Sequence, residues 1–310
     1  MYTSFILYNI LYVYFIIYRT FTDQYTFGKK TKFMKSKIIK LSLVCLAATM
    51  IFTSCKKENI AKDLKVSVLK EWNVDLSTKY QVPAVSCNHE TGSVKLQLFS
   101  DNSLSYKIEV KDVEMGDELV AAHIHEGNVL ENGMIVLGFD PMFSGGKAMG
   151  VITNLRSTFA DSLLNDMNEL YFNVHSKKHP KGLVRGQLNA MIVLADDVIL
   201  KGDNQMPKVN TTAQGLALLR LTSDKKLYSN VTVKNLEGWD ELLYAHIHKG
   251  DTGVNGPIIV NLCMSAAEFG IIKISPLSDE NYMIIKKDYN YVNVHSKAYP
   301  KGIVRGQINN

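Results

Sequence analysis

From residue 96 onward the chain alternates apolar and polar positions, first in LQLFS (96–100) and then in SLSYKIEVKDV (103–113), with β-branched residues among the apolar set. A period of two with that composition predicts half-buried strands. YFNVHS (171–176) and YVNVHS (291–296) alternate in the same way. Only two stretches break to a helical period. In STFADSLLNDMNEL (157–170), Phe159, Leu163, Met167 and Leu170 share one helical face, and Ser157 or Thr158 can cap it. In the other, Ser278 precedes DENYMIIKKDY, which has acids in its first turn and Lys286 and Lys287 near its end, as the helix dipole favours. The pattern predicts a mainly β protein, built as an antiparallel sandwich or barrel with one short helix per domain.

The alternation is written twice. LSYKIEVKDVEMGDELVAAHIHEG (104–127) aligns with LYSNVTVKNLEGWDELLYAHIHKG (227–250), and ELYFNVHSKKHPKGLVRGQLN (169–189) with NYVNVHSKAYPKGIVRGQIN (290–309). A repeat of this length is large enough to bury its own core, which predicts two tandem domains rather than a solenoid. Their expected bounds are 80–192 and 203–310, with 193–202 as a linker and 55–79 as a tether.

The N-terminal part reads differently. From Met34 a short basic region, the apolar stretch LSLVCLAATMIF, and then TSC follow in the order of a secretory signal peptide. Twelve apolar residues are short for a membrane span, which needs ~20. Phe52-Thr53-Ser54-Cys55 resembles a bacterial lipobox, so residues 34–54 are expected to be a lipoprotein signal and Cys55 the acylated first mature residue. Several acyl chains would anchor it stably to a bacterial membrane. Residues 1–33, rich in Tyr, Phe and Ile, are expected to be an extension from a start assigned too early. Cys87 and Cys263 then remain, one in each repeat, and are expected as unpaired thiols rather than a disulfide framework.

Charge narrows the partners. Of 35 Lys and Arg and 30 Asp and Glu, residues 1–54 hold seven basic and one acidic, so the remainder is close to neutral. The repeats therefore lack the basic excess that a nucleic-acid surface needs, and no nucleic-acid partner is expected.

The chemistry that recurs is imidazole. In a strand, residues i and i+2 share a face, so His123 and His125, and likewise His246 and His248, point the same way. Asn173 shares a face with His175, and Asn293 with His295. A turn at Pro180-Lys181-Gly182 returns the chain so that Arg185 and Gln187 lie beside that face, with Arg305 and Gln307 as counterparts. Each repeat thus predicts one cluster of three histidines, an Asn, an Arg and a Gln. Three imidazoles with an open position suit zinc or copper. Against a metal stand the nearby arginine and the lack of a recurring carboxylate, since Glu126 in one copy is Lys249 in the other. The alternatives are a self-satisfied polar layer without cofactor, or an anion held by Arg and Gln. Asp117, Glu118, Asp240 and Glu241 recur before the His strand and read as solvated turn acids. No phosphate loop, nucleophile elbow or zinc-protease helix is present.

His-Ile-His-x-Gly, an Asn-Gly turn, Asn-Val-His-Ser, Pro-x-Gly and Val-Arg-Gly-Gln together resemble the CHRD domain, a module named from chordin and also found in bacterial secreted proteins. The resemblance covers both repeats. It implies an extracytoplasmic β module without established catalysis; in chordin such modules belong to a growth-factor-binding protein. The second copy, HIHKGDTGVNGPIIV, fits best. In the first, Leu130 replaces Gly253 and Met134 replaces Pro257, so a differently shaped loop is expected. Leu183 and Ile303 stand where the family often has an acid. The reading that results is a lipid-anchored cell-envelope protein with two modules that bind an extracytoplasmic protein or small ligand. Its alternative is a zinc or copper protein, superoxide dismutase-like in its use of His-x-His on a β scaffold.

Overall fold

The computed structural model describes residues 66–85 and 89–309. Residues 1–65, which hold the expected signal, Cys55 and the start of the tether, lie outside the described residues, as does Cys87. The first repeat runs β1 (Val68–Ser77), β2 (Thr91–Phe99), β3 (Leu104–Lys111), β4 (Leu119–Glu126), β5 (Ile135–Phe139), β6 (Lys147–Ile152), α1 (Ser157–Leu164), β7 (Leu170–Ser176) and β8 (Val184–Gln187). The second runs β9 (Ile192–Lys201), β10 (Gln214–Thr222), β11 (Lys226–Lys234), β12 (Leu242–Lys249), β13 (Ile258–Cys263), β14 (Lys273–Pro276), α2 (Asp279–Lys287), β15 (Asn290–Ser296) and β16 (Val304–Ile308).

Each repeat is one eight-stranded antiparallel, barrel-like sheet. The orders, β5-β4-β7-β8-β1-β2-β3-β6 and β13-β12-β15-β16-β9-β10-β11-β14, are the same topology twice. The period-two pattern sets the core. Val94, Leu96 and Leu98 of β2 and Leu104, Ile108 and Val110 of β3 all point inward with Phe172 and Val174 of β7. The second core repeats this with Ala217, Leu219, Leu221, Val292 and Val294. Strands β7 and β15 are buried along their whole length, so both their faces are covered. The apolar face meets the core, and the face carrying Asn173 and His175 meets loops.

Two expectations are corrected. The stretches read as tether and linker supply central strands: β1 pairs with β2 and β8, and β9 with β10 and β16. Both alternate apolar residues inward, as Trp72, Val74 and Leu76 do, but their sequences diverge between the copies and hide the equivalence. The helix expected over 157–170 stops at Leu164, and Met167 is 85 % exposed. Its N-cap is Arg156, which makes no side-chain cap, so Ser157 begins the helix instead of capping it. In α2, by contrast, Ser278 Oγ accepts from Asn281 N as its position implies.

The two repeats fall within one compact unit, Lys65–Asn310. Val129 and Leu130 of the first pack with Ile192 and Tyr228 of the second, flanked by Tyr80, Val82 and Leu218. Around this apolar patch, Arg220 pairs with Asp197 at 2.7 Å and donates to the Gln81 carbonyl at 2.7 Å. Ala84 N donates to Asp197 Oδ2, and Tyr228 Oη donates to Glu169. Arg220 is fully buried, so its charge is compensated by both a carboxylate and carbonyl dipoles.

Candidate functional site

Register brings the recurring polar residues onto one face. Along β4 and β7, His123 sits opposite Asn173, His125 opposite Tyr171 and Ala121 opposite His175. Along β7 and β8, Tyr171 sits opposite Gln187 and Asn173 opposite Arg185. β12, β15 and β16 repeat each pairing with His246, His248, Tyr291, Asn293, His295, Arg305 and Gln307. The six histidines form two trios, and within each trio one ring nitrogen per residue lies within 4.8 Å of the others.

The arginine, asparagine and glutamine do not serve the histidines directly. Arg185 is fully buried and donates to the carbonyls of Asn128 (2.6 Å) and Glu131 (2.9 Å) and to Asn132 Oδ1 (3.3 Å). Gln187 Nε2 donates to the Gly127 carbonyl at 2.8 Å. Asn173 accepts from Gln81 Nε2 at 2.7 Å. In the second repeat Arg305 donates to Asp251 O, Val254 O and Asn255 Oδ1, Gln307 to Gly250 O, and Gln205 to Asn293. The arginine and glutamine hold the loop after the His strand, and no guanidinium–imidazole bond forms. The Nη donors of both guanidinium groups are committed to loop oxygens.

That loop in turn sets the histidines. Gly133 stands so close to β4 that a Cβ there would overlap the Glu126 carbonyl oxygen, and Gly256 relates identically to Lys249. Glycine lets the loop carbonyls reach His125 Nδ1 at 3.1 Å and His248 Nδ1 at 2.9 Å. Gly182 and Gly302, with φ of 130° and 127°, shape the turns whose proline carbonyls meet His175 Nδ1 at 3.1 Å and His295 Nδ1 at 3.0 Å. A carbonyl only accepts, so the proton sits on Nδ1 in these four rings and Nε2 carries a lone pair. Burial pulls every imidazole of the trios below the ordinary histidine range, to about 4 for His175 and His246, so at neutral pH all six are uncharged.

The rings are also stacked in place. His125 lies parallel to Tyr171 with centroids 4.8 Å apart, and His248 to Tyr291 at 4.9 Å. Arg185 and Arg305 each lie 3.4 Å over the same tyrosine ring. Strand order puts the tyrosine between imidazole and guanidinium. Its hydroxyl accepts from Gly133 N, or Gly256 N in the second copy, and so clamps the loop as well. Tyr171, Tyr291, Gln81 and Gln205 went unread in the sequence. Each had a signal: Tyr-x-Asn-Val-His-Ser occurs twice, and so does Gln-x-Pro, at 81–83 and 205–207.

The anchors of the 127–133 loop correspond to those of 250–256 residue for residue, so the expected difference in loop shape is confined to the tip. Only the tip differs: Gly253 is exposed with φ 77°, whereas Leu130 is buried against the second repeat. Asp117 and Asp240 are not free acids either. Each Oδ1 accepts two backbone N–H groups, from Glu118 and Lys178 or from Glu241 and Ala298, and so ties the segment before the His strand to the one after β7 or β15. Cys263 is a free, buried thiol that burial pushes up to about 11.

Two curled sheets of one topology, each with loops clamped over a three-histidine face, define a tandem β-module protein. The CHRD domain model matches residues 72–188 and 197–308, and the chain belongs to the CHRD domain family. Among curated proteins, the Dorsal-ventral patterning protein Sog of Drosophila melanogaster is 25 % identical over 232 residues, a match that covers 73 % of this chain and 22 % of Sog. The chain thus spans about a fifth of that relative's length. No solved structure matches it.

Proposed function

We propose that this is a lipid-anchored, non-catalytic binding protein of the bacterial cell envelope, whose two CHRD modules act as a single recognition body for an extracytoplasmic protein or small ligand. The observation that carries the reading is the joint between the modules. Val129, Leu130, Ile192 and Tyr228 are all buried there, and Arg220 crosses it. A partner would therefore meet two sites at a set spacing rather than two beads on a string, and bivalent engagement gains affinity without new contacts. Family membership supports the binding role. The signal-like stretch ending at Cys55, and its position ahead of both modules, support the anchor.

The anchor is tested by growing cells with labelled palmitate. Label on the wild-type chain and its loss in Cys55→Ala is expected; label on both or neither contradicts it. Binding is tested by capturing envelope proteins on immobilised full chain. A partner retained by the wild type and released when Leu130→Asp opens the joint supports one recognition body, whereas equal retention by both contradicts it.

A further inference from the structure

The two histidine trios carry an inference that stands independently of the anchor and of any protein partner. In the second repeat, His246 Nδ1, His248 Nε2 and His295 Nε2 are buried and have no hydrogen-bond partner. One ring nitrogen from each of these three residues lies within 4.8 Å of the others. Leaving one buried polar nitrogen unpaired is unfavourable; three facing one another is an arrangement that wants an electron-pair acceptor at its centre. In the first repeat His125 Nε2 is likewise unpaired, whereas His123 Nδ1 donates to His175 Nε2 at 2.9 Å, a bond that an ion would replace. A polar layer that satisfied itself would not leave over the three nitrogens of the second repeat.

We propose that each repeat is a mononuclear site for a late transition-metal ion, zinc(II) or copper, held by His123, His125 and His175 in the first and by His246, His248 and His295 in the second. Four of the six rings already donate Nδ1–H to a backbone carbonyl, as metal-bound imidazoles generally donate their second nitrogen. Tetrahedral coordination at ~2.0–2.1 Å sets ligand nitrogens ~3.3 Å apart, so trios spanning at most 4.8 Å need draw in only modestly. A donor set of three neutral imidazoles without a carboxylate disfavours magnesium, calcium and manganese and suits zinc or copper. The arginine that argued against a cation is stacked on a tyrosine ring and turned toward loop carbonyls. His123 remains half-buried, which leaves the first site an open side. In the second, Tyr244 packs on both His246 and His295, with centroids 5.1 and 4.9 Å away, where the first repeat has only Ala121.

The full chain, extracted in detergent and stripped with a chelator, is dialysed against zinc(II) or copper(II) chloride, and bound metal is counted by elemental analysis. Two ions per chain are expected, one in His246→Asn, and none in the double variant His123→Asn/His246→Asn. Copper is expected to displace zinc, following the general order of divalent affinities. Since a variant could lose metal by misfolding, the electron paramagnetic resonance spectrum of the unaltered copper-loaded chain is recorded alongside. Hyperfine structure from three imidazole nitrogens is expected. Substoichiometric metal that the substitutions leave unchanged, or a copper spectrum without nitrogen coupling, would overturn the proposal.

Discussion

The loops 127–133 and 250–256 have the same anchors and different tips. Arg185 and Arg305 grip corresponding positions, and the Gly133 and Gly256 carbonyls reach corresponding histidines. Yet Leu130 is buried where Gly253 is exposed. The difference teaches that the loop's base belongs to the histidine site and its tip to the neighbourhood. In the first repeat the tip has become part of the joint between modules, so the departure from the motif at Leu130 is a packing residue with its own role.

Substitutions at the shared base should cost the most and cost the two repeats alike. Gly133→Ala and Gly256→Ala each drive a methyl into a backbone carbonyl that cannot yield without disturbing β4 or β12, and each is expected to destabilise its module by roughly 3–5 kcal/mol in urea unfolding. A large loss in one copy only would mean the bases are not equivalent.

The tips should separate the copies. Leu130→Ala empties part of the joint and is expected to cost roughly 2–4 kcal/mol. Gly253→Ala meets no neighbour and pays only the left-handed backbone cost, ~1 kcal/mol. Equal effects would undo the assignment of the tip to the joint.

Next come the arginines. Arg185→Ala and Arg305→Ala each leave loop carbonyls without charged donors, for an expected loss of ~1–3 kcal/mol in either repeat, read by the same unfolding assay. Unchanged unfolding would mean that the loops hold without them.

A further effect is on pH. The unfolded histidines titrate near 6.5, whereas in the folded, metal-free chain burial holds His175 and His246 down at about 4. The unfolded state therefore binds more protons across that window. The stability due to neutral burial is present above pH ~6.5 and lost as the pH falls toward 4. The melting temperature of the chelated chain should decline steadily over this range, and a flat profile would mean the rings are solvated.

Much of this architecture was legible in the sequence. The period-two pattern of Leu104, Tyr106, Ile108 and Val110 marked a strand because its two faces meet different surroundings. The His, Asn, Arg and Gln positions converged because strand periodicity and one tight turn suffice to place them on one face. What escaped depended on contacts distant in sequence. β1 and β9 share a place in the sheet but few residues, so no repeat signal exposed them. The direction of Arg185 was not visible because its acceptors are backbone carbonyls, which any loop sequence supplies. Leu130 was misleading because its partners, Ile192 and Tyr228, lie in the other repeat. Likewise Met167 fitted a helical face that the chain abandons at Leu164.

The central claim, that the three imidazoles of each repeat converge on an ion, is met most directly by anomalous diffraction from crystals of the metal-loaded protein at the zinc or copper absorption edge. The account predicts one peak per repeat, ~2.0–2.1 Å from three imidazole nitrogens. Peaks at other residues, or trios that hold only water, would contradict it.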